Sequence, residues 1–315
     1  MSGKFQNSEP KVRIFTIGET TYDILFRDGQ PAGACSGGSA YNSAISLGRC
    51  GLPVSLISTF GNDHVGDLSS AFLMNNGVNC SLIKRFEGQS RIALAFFDSE
   101  NNADYSFYQA SQDVVPDYPA PQGNDLILLG SSFALRDNGR ENLLNFLTQA
   151  KKTGAIIIYD PNARQSMVDK PELLKKILEN ISLATIVKGS DQDFQNIFGF
   201  NEAQRVYAHI SESGNKYLAY TKGSQGAELF SRELHLAIAA KETKVVSTIG
   251  AGDNFSAGIV YGLYNRLINN RIFEDFTPSE WEEIMKSGTL FASAVCGSSE
   301  NYLPAEIGES LRPIV

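Results

Sequence analysis

Apolar positions along the chain recur with two periods, and the switches between them outline the elements. Residues 12–17 form a β-rich run ending at Gly18, which predicts a first central strand. A second strand is predicted over 53–60 and a helix over 67–75, ending near Gly77. Residues 90–98, a turn at Glu100-Asn101-Asn102 and residues 104–109 predict a hairpin, although the alternation is imperfect. From Asp125 onward strands are predicted over 125–130, 155–159, 184–187 and 216–220. Helices are predicted between them over 139–152 and 171–179. Short apolar strands alternating with helices predict a mainly parallel sheet covered on both faces, and the hairpin predicts a subsidiary sheet. No internal repeat, low-complexity tract or dividing linker interrupts the chain.

The stretch with the most chemical content is Val245-Val246-Ser247-Thr248-Ile249-Gly250-Ala251-Gly252-Asp253. Its β-branched start predicts a short strand. Phe255, Ile259, Leu263 and Leu267 then recur every four residues, the apolar face of a helix. The free amides of a helix's first turn and the helix dipole favour anions, and glycines let a phosphoryl group come close. A carboxylate placed there is stabilised by the dipole, which makes Asp253 a candidate base. The same residues also fit a plain tight turn in which Asp253 is only a helix cap.

Composition narrows the field. The 315 residues carry a net charge of −8, which argues against broad nucleic-acid or membrane-surface binding but leaves room for a small anionic ligand. Cys35, Cys50, Cys80 and Cys296 lack metal-ligand spacing and read as reduced thiols, so a cytoplasmic protein is expected. Residues 1–10 are polar and read as a loose tail without a signal-peptide core, and no apolar run approaches membrane-spanning length.

Polar or glycine-rich segments fall at the predicted strand ends, around Asp23, Arg164, Lys188, Gly223 and Asp253. Such groups converge where open α/β sheets bind ligands. Upstream, Gly37-Gly38 permit close backbone approach, Ser39 is a candidate helix cap, and Asn42 lies one turn in, able to bond a polyol.

Two stretches together resemble the signatures of the PfkB/ribokinase family of carbohydrate kinases. One runs from Gly37-Gly38 through Asn42 and Ala44 to Gly51 and Gly61, the other from Ser247 through Asp253 to Gly258. The resemblance spans roughly residues 12–304 and implies a ribokinase-like three-layer α/β/α fold. It implies a mainly parallel central sheet in one kinase domain over 11–315, with a β-sheet lid at about 24–36 and 88–112. It implies ATP-dependent phosphorylation of a hydroxymethyl group, with Asp253 as base and the amides of Gly250, Ala251 and Gly252 as anion hole. Asp23, Gly37, Gly38, Asn42 and Arg164 would bind substrate. The Asp160-x-Asn162-x-Arg164 segment is fructokinase-like, which tilts the substrate toward fructose or a related sugar. Lys188, Ser190, Thr221, Lys222, Gly223, Gly226 and Asn254 would serve the nucleotide. Further implied are Mg2+, a monovalent cation such as K+, and a homodimer formed through the lid.

The family's usual Asn-x-x-Glu, linked to magnesium and phosphate, is replaced here by Ser190-Asp191-Gln192-Asp193. Asp193 is therefore the metal candidate, acting through water, as Mg2+ often permits. Other classes lack their motifs: the third glycine of Gly-x-Gly-x-x-Gly is replaced by Phe255, no P-loop occurs, and His64, His209 and His235 adjoin no nucleophile motif. A nucleoside kinase of the same fold and a degenerate sugar or nucleotide sensor remain alternatives.

Overall fold

The computed structural model describes residues 10–98, 103–108 and 114–313. In chain order its strands are β1 (Ile14–Ile17), β2 (Thr21–Arg27), β3 (Gln30–Gly37), β4 (Val54–Gly61), β5 (Ile83–Phe86), β6 (Ile92–Phe97) and β7 (Ala103–Tyr108). There follow β8 (Leu126–Gly130), β9 (Ile156–Asp160), β10 (Ile186–Ser190), β11 (Tyr217–Thr221), β12 (Ala227–Ser231) and β13 (His235–Ile238).

Nine strands form one sheet in the order β13-β12-β11-β10-β9-β8-β1-β4-β5. Pairings from β5 across to β11 are parallel, and β12 and β13 add an antiparallel edge. Strand order reverses at β1, between β4 and β8, and at such a switch point loops diverge and leave a crevice.

Alternation along the strands explains the layers. Leu126, Leu128, Ile156 and Ile158 pack on one face with the helices Ser39–Arg49, Ala251–Leu267 and Pro278–Cys296. Ile127, Leu129, Ile157 and Tyr159 pack on the other with the helices Arg140–Thr153 and Pro171–Leu183. With both faces covered, the strands have no polar side, which is why they read as continuous apolar runs. Phe255, Ile259, Leu263 and Leu267 are buried as their spacing predicts, each worth about 1.5–3 kcal/mol relative to exposure.

A second sheet, ordered β3-β2-β6-β7, is built from two antiparallel hairpins joined by parallel β2–β6 pairing. The turn at 100–102 and Gln109, both predicted for this sheet, lie outside the described residues, as does most of the N-terminal tail. Asp23 stands on β2 opposite Cys35 of β3, so it belongs to a strand of the small sheet and not to a turn after β1.

Three expectations change. The segment around Val245–Val246 is not a strand, and both valines are more than half exposed. Its amides go elsewhere: those of Val246 and Ser247 donate to Cys296 O at 2.7 and 3.3 Å, at the end of a helix. Ser39 does not cap its helix; Gly38 holds that position at φ 119° with no side-chain cap. A Cβ on Gly38 would lie 2.4 Å from Glu19 O, so the crossing of the two connections to the small sheet requires glycine. Lys188 and Gly189 lie within β10, not beyond it. Strand β5 was not predicted because Ile83-Lys84-Arg85-Phe86 shows neither alternation nor an apolar run.

Candidate active site

A cleft of about 1050 Å³ lies along the ends of β1, β8, β9, β10 and β11, with Tyr105 and Phe107 of the small sheet on its far wall. Asp253 enters it from the first turn of the helix Ala251–Leu267. That helix begins at Gly250, whose φ of 79° places it in the left-handed region. A Cβ there would come within 2.4 Å of Asn301 O.

The turn is fixed from below by Asn254. Its Nδ2 donates to Gly250 O at 2.8 Å and Asn301 O at 2.9 Å, and its Oδ1 accepts from Ser46 Oγ. Asn254 is fully buried and does not line the cleft, so its place in the structure is that of a support for the turn. Ala251 N–H donates to Thr248 O at 3.2 Å, closing the turn. Among the described residues no protein acceptor takes the Gly252 amide, which makes it the better donor for an anion.

Asn42 donates from Nδ2 to Asp253 Oδ2 at 2.9 Å, and Ser43 Oγ donates to Asp253 O at 2.9 Å. The carboxylate is therefore held from the neighbouring helix, Ser39–Arg49. Asn42 is buried, and its Oδ1 has no hydrogen-bond partner. Asp23 is buried too, and its Oδ1 is likewise unpartnered. Burial pushes the Asp23 carboxyl above its ordinary range, with the Thr21 hydroxyl and Arg91 working against it. Gly37 does not line the cleft; it makes room, since a Cβ would lie 3.1 Å from Asp23 Oδ2. Each buried acceptor left unmade costs about 1–3 kcal/mol, and these two face one cleft beside Asp253.

Below the turn lies a buried ion pair: Lys188 Nζ donates to Asp160 Oδ2 at 2.7 Å, and Ser256 Oγ donates to the same oxygen at 3.0 Å. Lys188 Nζ is 3.1 Å from where a Gly252 Cβ would be, so any larger residue at 252 would displace the ammonium. Burial pulls the Lys188 pKa down, but the carboxylates of Asp160 and Asp193 outweigh it and hold the ammonium above its ordinary value.

Arg164, Ser190, Thr221, Gly223 and Gly226 line the cleft as expected. Lys222 does not; its ammonium is paired with Glu228, which also bonds His235 at 2.7 Å. Its charge is spent at the strand edge. Asp193 lines the cleft, but Oδ2 accepts from Ser190 N at 2.7 Å and Ser190 Oγ at 2.6 Å, while Oδ1 accepts from Ala163 N at 2.7 Å. Ser190 and Asp193 thus form the capping box of the helix Asp191–Phe198. Both oxygens already serve protein donors, and no group of three His, Cys, Asp or Glu side chains that could hold a metal occurs among the described residues, so any contact of Asp193 with Mg2+ would run through water, as expected of it.

Sequence reasoning missed Glu19, Ser256 and Tyr105 as parts of this site and gave Asp160 only as the start of the Asp160-x-Asn162-x-Arg164 segment. Glu19 lines the cleft and pairs with Arg91, Arg136 and Ser132, tying the small sheet to the main body. The Asp160–Lys188 pair carried a signal: two opposite charges at the ends of otherwise apolar neighbouring strands.

Comparison with known proteins follows the same lines. A family model described as pfkB family carbohydrate kinase matches residues 14–307. A fructokinase from Rhizobium leguminosarum bv. trifolii is 29% identical over 260 residues, 79% of this chain and 79% of that protein. The fructokinase of Vibrio cholerae O395, solved with fructose, ADP and calcium ion, superposes with TM-score 0.81 at 20% identity over 96% of this chain and 99% of that one. An aminoimidazole riboside kinase from Salmonella enterica, solved with aminoimidazole riboside and an ATP analog, gives 0.80 at 20% identity, covering 95% and 99%. These likenesses establish the ribokinase-like α/β fold, with its large mostly parallel sheet and small second sheet.

Proposed function

Since this chain belongs to the pfkB family of carbohydrate kinases, we propose that it transfers the γ-phosphate of ATP to a hydroxymethyl group of fructose or a related monosaccharide, with Asp253 as base. One observation carries the choice of site: two buried, unpartnered acceptors, Asp23 Oδ1 and Asn42 Oδ1, on residues lining the same cleft as Asp253, whose carboxylate Asn42 bonds. A polyol brings hydroxyl donors to such acceptors and relieves their desolvation cost.

Phosphoryl transfer needs alignment and charge neutralisation more than covalent chemistry. In this reading Asp23 and Asn42 hold sugar hydroxyls, and the Asn42–Asp253 bond fixes the carboxylate that takes the hydroxymethyl proton. The Gly252 amide and the helix dipole meet the transferred phosphoryl charge, with Lys188 beneath the turn and Arg164 at the mouth. Thr221, Gly223 and Gly226 border the nucleotide. Magnesium, which neutralises phosphate charge when bound, would be carried by the nucleotide's own oxygens and water. The small sheet acts as the lid, and Phe96 and Tyr108, exposed on the face away from Tyr105 and Phe107, would support a homodimer through it. Four unbridged cysteines among the described residues suit a reducing cytoplasm.

ADP release over fructose, ribose, ketodeoxygluconate and nucleosides tests the substrate. Fructose or a close hexose is expected to give the highest kcat/KM. A nucleoside in first place would favour the reading suggested by the likeness to the riboside kinase. Binding without turnover on any compound would favour a sensor.

A pH profile tests Asp23. Because its carboxyl is held above the ordinary range, it protonates early as pH falls and then offers a hydroxyl only a weaker, neutral acceptor. The kcat/KM for sugar is expected to fall on the acid side at a pH above that of a free carboxylate. An Asp23→Asn variant should lose that limb along with most sugar affinity; a limb that survives unchanged would clear Asp23 of the role.

A further inference from the structure

The replacement of Asn-x-x-Glu by Ser190-x-x-Asp193 leaves a carboxylate at the edge of the cleft whose two oxygens both accept protein hydrogen bonds, and those partners point to a structural use. Besides capping its own helix, Asp193 Oδ1 accepts the Ala163 amide at 2.7 Å. One turn further along the helix Asp191–Phe198, Asn196 Nδ2 donates to Ala163 O at 2.7 Å. The peptide groups on either side of Ala163 are thus gripped from one rigid helix face, i and i+3. Ala163 itself is buried.

What that grip holds is unusual backbone. Asn162, immediately before, has φ of 43°, the left-handed region that asparagine tolerates at a cost. Arg164, immediately after, is exposed and lines the cleft, where its charge reaches Tyr105 on the small sheet. The two bonds to Ala163 act on the residue between Asn162 and Arg164, in the connection between β9 and the short helix Gln165–Val168, and add to the burial of Ala163 in holding it.

We propose that Asp193 and Asn196 form a clamp on Ala163 that positions Asn162 and Arg164 for the sugar, the helix start having exchanged a metal role for a substrate-orienting one. This rests on the sugar-kinase reading for its kinetic consequences, but the clamp itself is a property of the fold. Two kinds of measurement keep these apart. Hydrogen–deuterium exchange of residues 160–168 in the free protein reads the clamp with no substrate present. Both Asp193→Ala and Asn196→Ala are expected to speed exchange in that segment at least tenfold. Unchanged exchange in both would overturn the clamp whatever the enzyme phosphorylates.

Steady-state kinetics then read its use, with wild-type turnover of fructose measured first so that a failure of the kinase reading is seen by itself. Asn196→Ala leaves the capping box intact and isolates the clamp from helix stability. It is expected to raise the sugar KM about tenfold with the Mg2+ half-saturation unmoved, and Asp193→Ala is expected to match it. A metal role predicts the reverse pattern: Asn196→Ala silent, and Asp193→Ala shifting the Mg2+ dependence. That pattern would overturn the proposal, as would an unchanged sugar KM in both variants. The isosteric Asp193→Asn, which keeps one acceptor oxygen, should recover part of the loss.

Discussion

Asp253→Asn is expected to lower kcat by about 10²–10⁴, the contribution typical of a positioned general base, while sugar and ATP still bind within a few-fold of the parent affinity. The substitution keeps the side chain's size and its place in the first turn of the helix. Asn42 can still donate to the remaining carbonyl oxygen, in place of the 2.9 Å bond to Asp253 Oδ2. The Ser43 bond to the backbone of residue 253 is untouched. What disappears is the capacity to take a proton, a loss felt in the transition state and not in the ground state. Activity measured by ADP release and affinity measured by calorimetry separate the two. A parallel loss of binding and turnover would mean that residue 253 organises the cleft and does not act in the chemistry.

Lys188→Met carries the largest expected cost to stability, about 3–5 kcal/mol, because it strands a buried carboxylate. Asp160 is 4% exposed, and its Oδ2 has only the Ser256 hydroxyl besides Lys188. Methionine fills most of the volume, so the effect isolates the missing charge. Adding Asp160→Asn removes the stranded charge and should restore part of the loss, giving a strong coupling in a double-mutant cycle. Denaturant midpoints of the four proteins decide this. Additive losses, or a single-variant cost below about 1 kcal/mol, would show that the pair is not an interacting unit. Turnover of the double variant is a separate reading. If Lys188 only props the turn through Asp160, activity should recover along with stability; continued loss assigns the ammonium a share of the phosphoryl charge.

Much of this was legible in the sequence, for identifiable reasons. The buried strands β8, β9 and β11 are apolar because helices cover both faces, so their runs were visible without context. The helix after Gly250 announced itself by Phe255, Ile259, Leu263 and Leu267. Val245 and Val246 misled because β-branching favours extended backbone wherever it occurs. Only the end of the helix Pro278–Cys296, far along the chain, decides that the amides of Val246 and Ser247 pair with Cys296 instead of a strand. The site divides in the same way. Asn42 and Asp253 could be singled out because each follows glycines that the residues themselves reveal, and the structure brings both to one cleft with Asp23, which stands inside β2.

Roles set by long-range partners were not legible. Lys222 looks like a phosphate ligand until Glu228 is seen beside it across the β11–β12 pair. Asn254 looks available until Asn301 and Ser46 claim its amide. Asp193 reads as a contact to metal through water, and its bond from Ala163, thirty residues earlier, has no sign in the local sequence. Glu19 gave no local sign, since its arginine partners come from positions 91 and 136. In each case the partners of a polar side chain come from another element of the fold, which its own neighbours in sequence do not reveal.

Rapid-quench single turnover with fructose and excess enzyme measures the transfer step itself, free of product release. The account predicts that Asp253→Asn slows this step by the same 10²–10⁴ seen in kcat, with sugar phosphate as the product in both proteins. Transfer at near the parent rate in the variant would contradict it, since the proton would then be leaving to some group other than Asp253.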